Sequence, residues 1–477
     1  CLSVHPQPEE LDYLVVIRGL PYRVELPTGF TVSLSAALQV SNTTHATSGS
    51  YLAGQAVSTL DGLSRASIEN PWYVGASRTD VFELENPYMS HYSTAVTIAA
   101  QARQPRAPRR QDAPVFYQWE YTDNLFTVSR LDGFDYDDAM DLVDRAVAAD
   151  GSMPDAPITC MAAADSARGA RDPECAYTVS LLESAGIPAQ YIEDHDAELS
   201  GAVLAGLLTG TTSIAGGIDG NTWVPGAFAG NLTSYGAVPN NFRCSAEGSC
   251  PGSESQTSIA RFVRGGATFA HGTANEPLNN CFPGAGMFLL STMGYSAIES
   301  AVMTQRYLYW QNIYLGDPIS APWADRPAVT IGAEVAANQP VDIMATHPHG
   351  IAETRLYVDG VRVDEGVSLE ESLGLTEGDE VSLLAVAVAE NGPIYREGWP
   401  EPDQQPRPDV QGWATAYVVL GAPISEVDDP PEYGSPESSK ASSGGGCATF
   451  SDQMLGVWWL IGAVACFRRR SSTGSPG

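Results

Sequence analysis

Short apolar runs alternate with amphipathic stretches through the first two thirds of the chain. The apolar runs predict strands at residues 11–17, 125–131, 158–164, 189–192, 212–216, 227–232 and 267–271. Apolar residues at helical spacing predict helices at residues 136–149, 175–185, 198–208, 258–263, 285–293 and 297–307. Strands that alternate with helices form βαβ units, so residues 1–325 predict an α/β domain around a mainly parallel sheet.

From residue 326 the pattern changes to strands without long helices between them. Strands are predicted at residues 340–345, 354–358, 361–363, 380–388 and 413–420. The turn sequences Asp359-Gly360 and Asn391-Gly392 lie between strands. Residues 326–423 therefore predict an immunoglobulin-like β-sandwich. Residues 424–446 are rich in Pro, Ser, Glu and Gly, which predicts a flexible linker.

Composition excludes several classes of protein. Hydrophobic residues make up 43% of the 477 residues, enough for a packed core and too many for a disordered chain. Lys and Arg number 25 against 57 Asp and Glu, a net charge of −32. Phosphate binding requires clustered cations, so nucleic acid is excluded as the main partner.

The chain begins at Cys1 and not at methionine. A lipidated cysteine normally precedes a polar tether, whereas here a predicted strand follows after a short polar stretch. This favours a fragment whose first domain is truncated at its N-terminus. Residues 101–114 carry four arginines among prolines, which predicts a solvated loop or, alternatively, a processing site for a trypsin-like protease.

The C-terminal residues 447–470 have three parts in a fixed order. Cys447 follows three glycines, residues 454–467 are apolar, and three arginines close the segment at residues 468–470 (Arg468, Arg469 and Arg470). A 14-residue helix rises about 21 Å, less than the roughly 30 Å of a bilayer core. Arginines stay on the cytoplasmic side, so the body of the protein is expected outside.

This layout resembles the C-terminal sorting signals of bacterial surface proteins, and the Gly-Gly-Gly-Cys447 form resembles the myxobacterial version. The resemblance implies cleavage near Cys447, attachment of a lipid there, and sorting machinery as a partner. The protein is therefore expected at the cell surface or secreted, with membrane contact only through the C-terminal helix or a lipid.

An exported chain permits disulfides. Cys244 and Cys250 flank a turn-rich loop, which predicts a disulfide between them, and Cys160 and Cys175 are a second candidate pair. Cys281 is then the odd cysteine of this region, and three interpretations remain: it is buried, it pairs with a cysteine outside this sequence, or it is reactive.

Several segments of the α/β region resemble an uncharacterised family of bacterial exported proteins that is distantly similar to the gingipain-type cysteine peptidases. They are residues 11–21, 128–133, 138–143, 225–229, 233–235, 265–268, 275–277 and 310–318, the last ending in Gly316-Asp-Pro318. The resemblance implies a caspase-like sheet. It also implies a His at the end of one strand and a Cys at the end of the next.

The two predicted strands at these positions carry neither residue. Residues 212–216 lead into Asp219, and residues 227–232 lead into Ser234. The dyad of the peptidases is therefore predicted to be absent.

Three other chemistries remain open. Ser234 could act as a nucleophile beside Asp219, although no histidine is at hand as a base. His271 and Cys281 could form a dyad, against the alternative of a buried histidine and a buried or bonded cysteine. Asp219, Glu276 and Asp317 could together bind Ca²⁺, against the alternative of solvated carboxylates; no other cofactor is indicated.

Two hypotheses follow. The first is a non-catalytic surface protein whose degenerate gingipain-like domain binds a protein or peptide ligand. The second is an exported hydrolase, in particular a peptidase with an altered site. The absent dyad favours the first.

Overall fold

The structure is a computed structural model of the 477-residue chain. It describes residues 13–25, 31–39, 44–45, 49–50, 119–120, 127–195, 197, 199–214, 218–245, 248–250, 255–276, 279–305, 310–389 and 410–423. The predictions for the N-terminus, the 101–114 loop, the linker and the 447–470 segment lie outside these residues. None of the helices in the described ranges has the length and apolar character needed to cross a bilayer. The chain divides into two compact units, one ending at Asp325 and the other beginning at Arg326.

The first unit contains thirteen strands and six helices among its described residues. The strands are β1 (Tyr13–Ile17), β2 (Arg23–Glu25), β3 (Thr31–Ser33), β4 (Thr44–His45), β5 (Gly49–Ser50), β6 (Trp119–Glu120), β7 (Thr127–Leu131), β8 (Ile158–Met161), β9 (Ala189–Ile192), β10 (Val203–Thr209), β11 (Thr222–Asn231), β12 (Phe269–Thr273) and β13 (Asn312–Leu315). The helices are α1 (Leu34–Gln39), α2 (Tyr136–Ala149), α3 (Asp172–Ser184), α4 (Ile259–Gly265), α5 (Met287–Thr292) and α6 (Ala297–Met303).

Eight of these strands form one mixed sheet in the order β1-β7-β13-β12-β11-β10-β8-β9. The five strands from β12 to β9 are parallel to one another, and so are β13, β7 and β1. The two blocks meet at the antiparallel pair of β12 and β13. We call the edge where β8, β10, β11 and β12 end the carboxyl edge, and the opposite edge the amino edge.

Helices cover both faces of the sheet, as a sheet made largely of parallel strands requires. Helices α3, α5 and α6 pack on one face around Phe228, Phe269 and Phe288. Helices α2 and α4 pack on the other face, where Leu204 and Phe262 are completely buried. The prediction of an α/β unit is confirmed at this level.

Two predicted elements at the centre of the sheet are wrong. Residues 198–208 were expected to form a helix, but residues 203–209 form strand β10. Residues 212–216 were expected to form a strand, but Thr212 and Ser213 lie in a bend after β10. The run Val-Leu-Ala-Gly-Leu-Leu is apolar on every side, and a short buried strand cannot be distinguished from a helix by periodicity alone.

The Gly316-Asp-Pro318 turn ends strand β13 at the amino edge. Gly316 has φ +141°, and a Cβ atom there would lie 2.5 Å from the Phe269 ring. Only glycine combines this backbone angle with so close an approach to β12. The glycine of this motif therefore has a structural role.

The second unit consists of antiparallel sheets, and we call it the sandwich unit. Its elements are β14 (Ala328–Ile331), β15 (Ile343–Thr346), β16 (Ile351–Val358), β17 (Val361–Val363), α7 (Leu369–Leu373), β18 (Glu380–Ala389) and β19 (Gln411–Val419). Strands β14 and β15 pair with each other, and the others form a four-stranded sheet in the order β17-β16-β18-β19. Strand β14 and helix α7 were not predicted. Leu369 of α7 is completely buried in the core of this unit.

Candidate functional site

The loops that follow β10, β11 and β12 are tied together at the carboxyl edge. Asn231 accepts a hydrogen bond from the Thr211 amide nitrogen at 3.0 Å and donates one to the Thr211 carbonyl at 2.8 Å. The Thr273 hydroxyl donates to the carbonyl groups of Thr233 and Ser234. These bonds fix the backbone where ligands of parallel sheets bind.

The residues at the ends of β10 and β11 include no histidine or cysteine. Strand β10 leads into Thr211 and Thr212, and β11 leads into Thr233 and Ser234. The strand before β11 differs from the one predicted, but neither the predicted nor the observed strand places a histidine or a cysteine at these positions.

Asp219 and Ser234 lie at opposite ends of β11. Asp219 precedes the strand at the amino edge, where it is exposed and forms an ion pair with Arg261 at 2.8 Å. Ser234 follows the strand at the carboxyl edge and is buried. The length of β11 lies between the two residues, so the structure does not bring Ser234 and Asp219 together.

The three carboxylates proposed to bind Ca²⁺ are also separated. Glu276 follows β12 at the carboxyl edge, whereas Asp219 and Asp317 lie at the amino edge because β13 runs antiparallel to β12. In the part of the chain that the structure describes, no three His, Cys, Asp or Glu side chains are grouped so as to hold a metal ion.

His271 lies at the centre of a buried polar cluster on the face covered by α3. Its Nε2 atom is 3.0 Å from Oδ1 of Asn312, and its ring contacts those of Phe282 and Tyr314 at 5.3 and 4.8 Å between centroids. Burial lowers the pKa of His271 to about 3, and the nearby charge of Arg171 acts in the same direction. The imidazole is therefore neutral at physiological pH.

Cys281 ends the short 3-10 helix Asn279–Cys281 beside this cluster. It is completely buried and is not part of a disulfide; burial and, after it, the nearby Cys281 raise the pKa of Tyr314. A Cys–His dyad needs an accessible thiolate and an imidazole that can carry a proton at the working pH. A buried thiol and a histidine that is neutral at physiological pH provide neither, so the structure favours the structural alternative for both residues.

The cysteines divide into one disulfide and three free thiols among the described residues. Cys244 and Cys250 are bonded, with their Cα atoms 4.2 Å apart in a partly exposed loop. Cys160 and Cys175 are free and buried, so the second predicted disulfide is not formed. A hydrogen bond with Cys175, together with burial, raises the pKa of the Cys160 thiol.

Arg171 is the site residue that sequence reasoning missed. It ends the 3-10 helix Gly169–Arg171 and caps the N-terminus of α3 at the carboxyl edge. Its Nε and Nη2 atoms are completely buried and have no hydrogen-bond partner. The buried hydroxyl groups of Thr209 and Thr233, at the ends of β10 and β11, also lack a partner.

A signal for Arg171 was present in the sequence. The partial positive charge of a helix N-terminus disfavours a cation at the capping position. An arginine directly before Asp172-Pro173, the start of α3, is therefore an unfavourable choice for helix stability.

Comparisons with family models, with curated proteins and with solved structures found no match to this chain. Function must therefore follow from the residues of the chain itself. At the carboxyl edge these are hydroxyl groups, a neutral histidine and an arginine with two unused donors.

Proposed function

We propose that the protein is an exported, non-catalytic binding protein. In this proposal the first unit is a degenerate gingipain-like domain, and the sandwich unit is an immunoglobulin-like module that holds it away from the cell surface. The observation that carries the proposal is the carboxyl edge itself, where the structure shows buried hydrogen-bond donors without partners and, among the described residues, shows no hydrogen bond between a nucleophile and a histidine.

The two nucleophiles near the edge, Ser234 and Cys281, are poorly placed for activation by a base. No hydrogen bond between described residues joins Ser234 to a histidine, and Asp219 lies at the other end of β11. Cys281 is completely buried. Nucleophilic catalysis needs the nucleophile within hydrogen-bond reach of its base, so these residues support binding better than bond cleavage.

Two observations support export. The Cys244–Cys250 disulfide is partly exposed, and such bonds persist in oxidising compartments. The sequence of residues 447–470 adds a sorting signal, with sorting machinery as a partner and either the helix or a lipid at Cys447 as the membrane contact. The net charge of −32 disfavours nucleic acid, and we propose a protein or peptide as the first class of ligand to test.

Covalent labelling tests the proposal directly. The purified chain would be treated with serine-directed and thiol-directed probes and, separately, with a mixed peptide pool. We expect no labelling at Ser234, none at Cys281 until the protein is unfolded, and no cleavage of peptides.

Cleavage that disappears in Ser234→Ala or Cys281→Ala would overturn the proposal and establish an exported hydrolase. Asp219→Ala is the matched control, because its side chain lies at the amino edge and is expected to have no effect in either case.

A further inference from the structure

The two unpartnered atoms of Arg171 are the two that together bind a carboxylate. The Nε–H bond and one Nη2–H bond of a guanidinium lie parallel on one edge and match the two oxygens of a carboxylate. We call this pair of atoms the Arg171 fork. Both atoms are buried and both lack a partner, so one complete binding edge is unused.

Other arginines of the same molecule show what this edge normally does. Arg355 contacts Glu353 through Nε at 2.9 Å and through Nη2 at 2.8 Å. Arg264 contacts Asp138 through the same two atoms, at 2.5 and 3.0 Å. At Arg355 and Arg264 a single carboxylate therefore fills this edge, whereas Arg130 shares it between the Asp132 carboxylate and the Leu20 carbonyl.

An empty fork is costly for the protein. A buried donor without an acceptor costs about 1–3 kcal/mol, and more when the group is charged. Arg171 has no intramolecular carboxylate at its fork, and its Cζ atom lies 6.0 Å from the centre of the Phe282 ring. An aromatic face compensates only part of the desolvation of a cation.

The position of the fork is one where ligands bind. Arg171 lies at the carboxyl edge, close enough to His271 to affect it electrostatically. It also begins α3, a helix of 13 residues whose N-terminus favours a negative charge. The two unpartnered donors therefore lie at the carboxyl edge and at a helix N-terminus, and an anionic ligand is favoured at both places.

We propose that the Arg171 fork binds a carboxylate of an incoming ligand, from either an acidic side chain of a peptide or a small carboxylic acid. The inference rests on the proposed binding function and names its chemistry. Both donor atoms are closed off from solvent and the Phe282 ring lies against the guanidinium, so the ligand must displace side chains to reach the fork. Association is then slower than the usual 10⁵–10⁷ M⁻¹s⁻¹.

Peptide binding to the full chain tests this proposal. The probes are fluorescent peptides with amidated C-termini that contain one Asp or Glu, and matched peptides with Asn or Gln. Succinate and inorganic phosphate compete with them at constant ionic strength. We expect the acidic peptides to bind and their amide counterparts to bind at least tenfold more weakly.

Variants separate the fork from general charge. Arg171→Gln removes the charge, and Arg171→Lys keeps it without the paired donors, so both are expected to weaken acidic-peptide binding at least tenfold. Arg168→Gln changes a neighbouring arginine that is paired with Asp165 and should leave binding within twofold. Binding of succinate to the wild-type chain, measured directly by calorimetry, without binding of the acidic peptides would identify a small acid as the ligand source.

Absence of binding by every carboxylate probe would overturn the proposal, as would binding that Arg171→Gln leaves unchanged. Displacement by phosphate alone would also overturn it. Cleavage of the peptides would instead overturn the proposed non-catalytic function, so the two failures are distinguishable.

Discussion

The two units of the molecule differ in whether their buried polar side-chain atoms all have hydrogen-bond partners. In the sandwich unit, no described buried side-chain nitrogen or oxygen lacks a hydrogen-bond partner. In the α/β unit such atoms occur at the carboxyl edge, at Arg171, Thr209, Thr233, Gln311 and Asn312, and also at Ser300 and Ser320 away from that edge. Unsatisfied buried groups are rare in native proteins, and a ligand or water often completes them. The unsatisfied side chains of the α/β unit are therefore most numerous at the edge where we propose that a ligand binds.

Arg355 and Arg171 represent this difference most clearly. The Arg355 side chain is 3% exposed and its fork is filled by Glu353, a contact that lowers the pKa of that carboxyl. Arg171 as a whole is half-buried, but the two atoms of its fork are buried and have no hydrogen-bond partner. The same residue type is therefore expected to stabilise one unit and to destabilise the other in the absence of ligand.

The largest effect is expected from Arg355→Met in the sandwich unit. Removing one partner of a buried ion pair costs about 3–5 kcal/mol, and we expect a loss of about 3 kcal/mol here, because Glu353 is 31% exposed and keeps Arg362. Hydrogen exchange of strands β16 and β18 would report the loss. Arg362→Met is the control, because Arg362 is more exposed and Glu353 keeps Arg355, so a loss of under about 1 kcal/mol is expected. Equal losses in the two variants would contradict this account.

The next effect concerns pH and His271. The folded-state pKa of about 3 lies below the unfolded value of 6.5, so this group adds stability above pH 6.5 and loses it as the pH falls toward 3. Between pH 7 and pH 4 the loss is about 3 kcal/mol. Urea unfolding of the wild type and of His271→Gln, monitored at β12, should show a stability difference that shrinks by this amount. His349→Gln, in an exposed loop of the sandwich unit, should show no such change.

A smaller effect of opposite sign is expected at Arg171. Arg171→Met removes a buried charge whose fork has no partner, which should raise the free energy of unfolding of the α/β unit by about 1 kcal/mol. Hydrogen exchange of α3 and β10 would measure the gain. Arg168→Met should change stability by less than about 0.5 kcal/mol. A loss of several kcal/mol in Arg171→Met would mean that the fork has an intramolecular partner.

The smallest effect is expected at the amino edge. Asp219→Asn breaks an ion pair in which the carboxylate side chain is 71% exposed. Such pairs contribute about 0–1 kcal/mol, and binding of acidic peptides at the carboxyl edge should not change. An affinity change of more than twofold, measured by fluorescence anisotropy, would show that the two edges are not independent.

The sequence correctly predicted the elements whose spacing of apolar residues fits only one type of secondary structure. Helix α2 was predicted with its observed bounds, because Ala139, Leu142 and Ala146 repeat at helical spacing on its buried face. Strand β9 was also predicted with its observed bounds. Strand β10 was missed because both of its faces are buried, so its apolar residues show no period of two.

The site was harder to predict than the fold. The sequence alone showed that these strand ends carry no His or Cys, whether the strand before β11 is placed at residues 212–216, as predicted, or at residues 203–209, as observed. The separation of Asp219 from Ser234 depended on where β10 and β11 begin and end, which the pattern did not give. The empty fork of Arg171 could not be predicted, because whether a guanidinium is paired depends on contacts between distant segments.

One measurement tests the central claim most directly. The wild-type chain would be incubated with the mixed peptide pool, and bound and unbound peptides would be separated and identified by mass spectrometry. We predict that every peptide is recovered intact, that peptides containing Asp or Glu are enriched in the bound fraction, and that the enrichment disappears in Arg171→Gln. Recovery of cleaved peptides, or a bound fraction without acidic enrichment, would contradict this account.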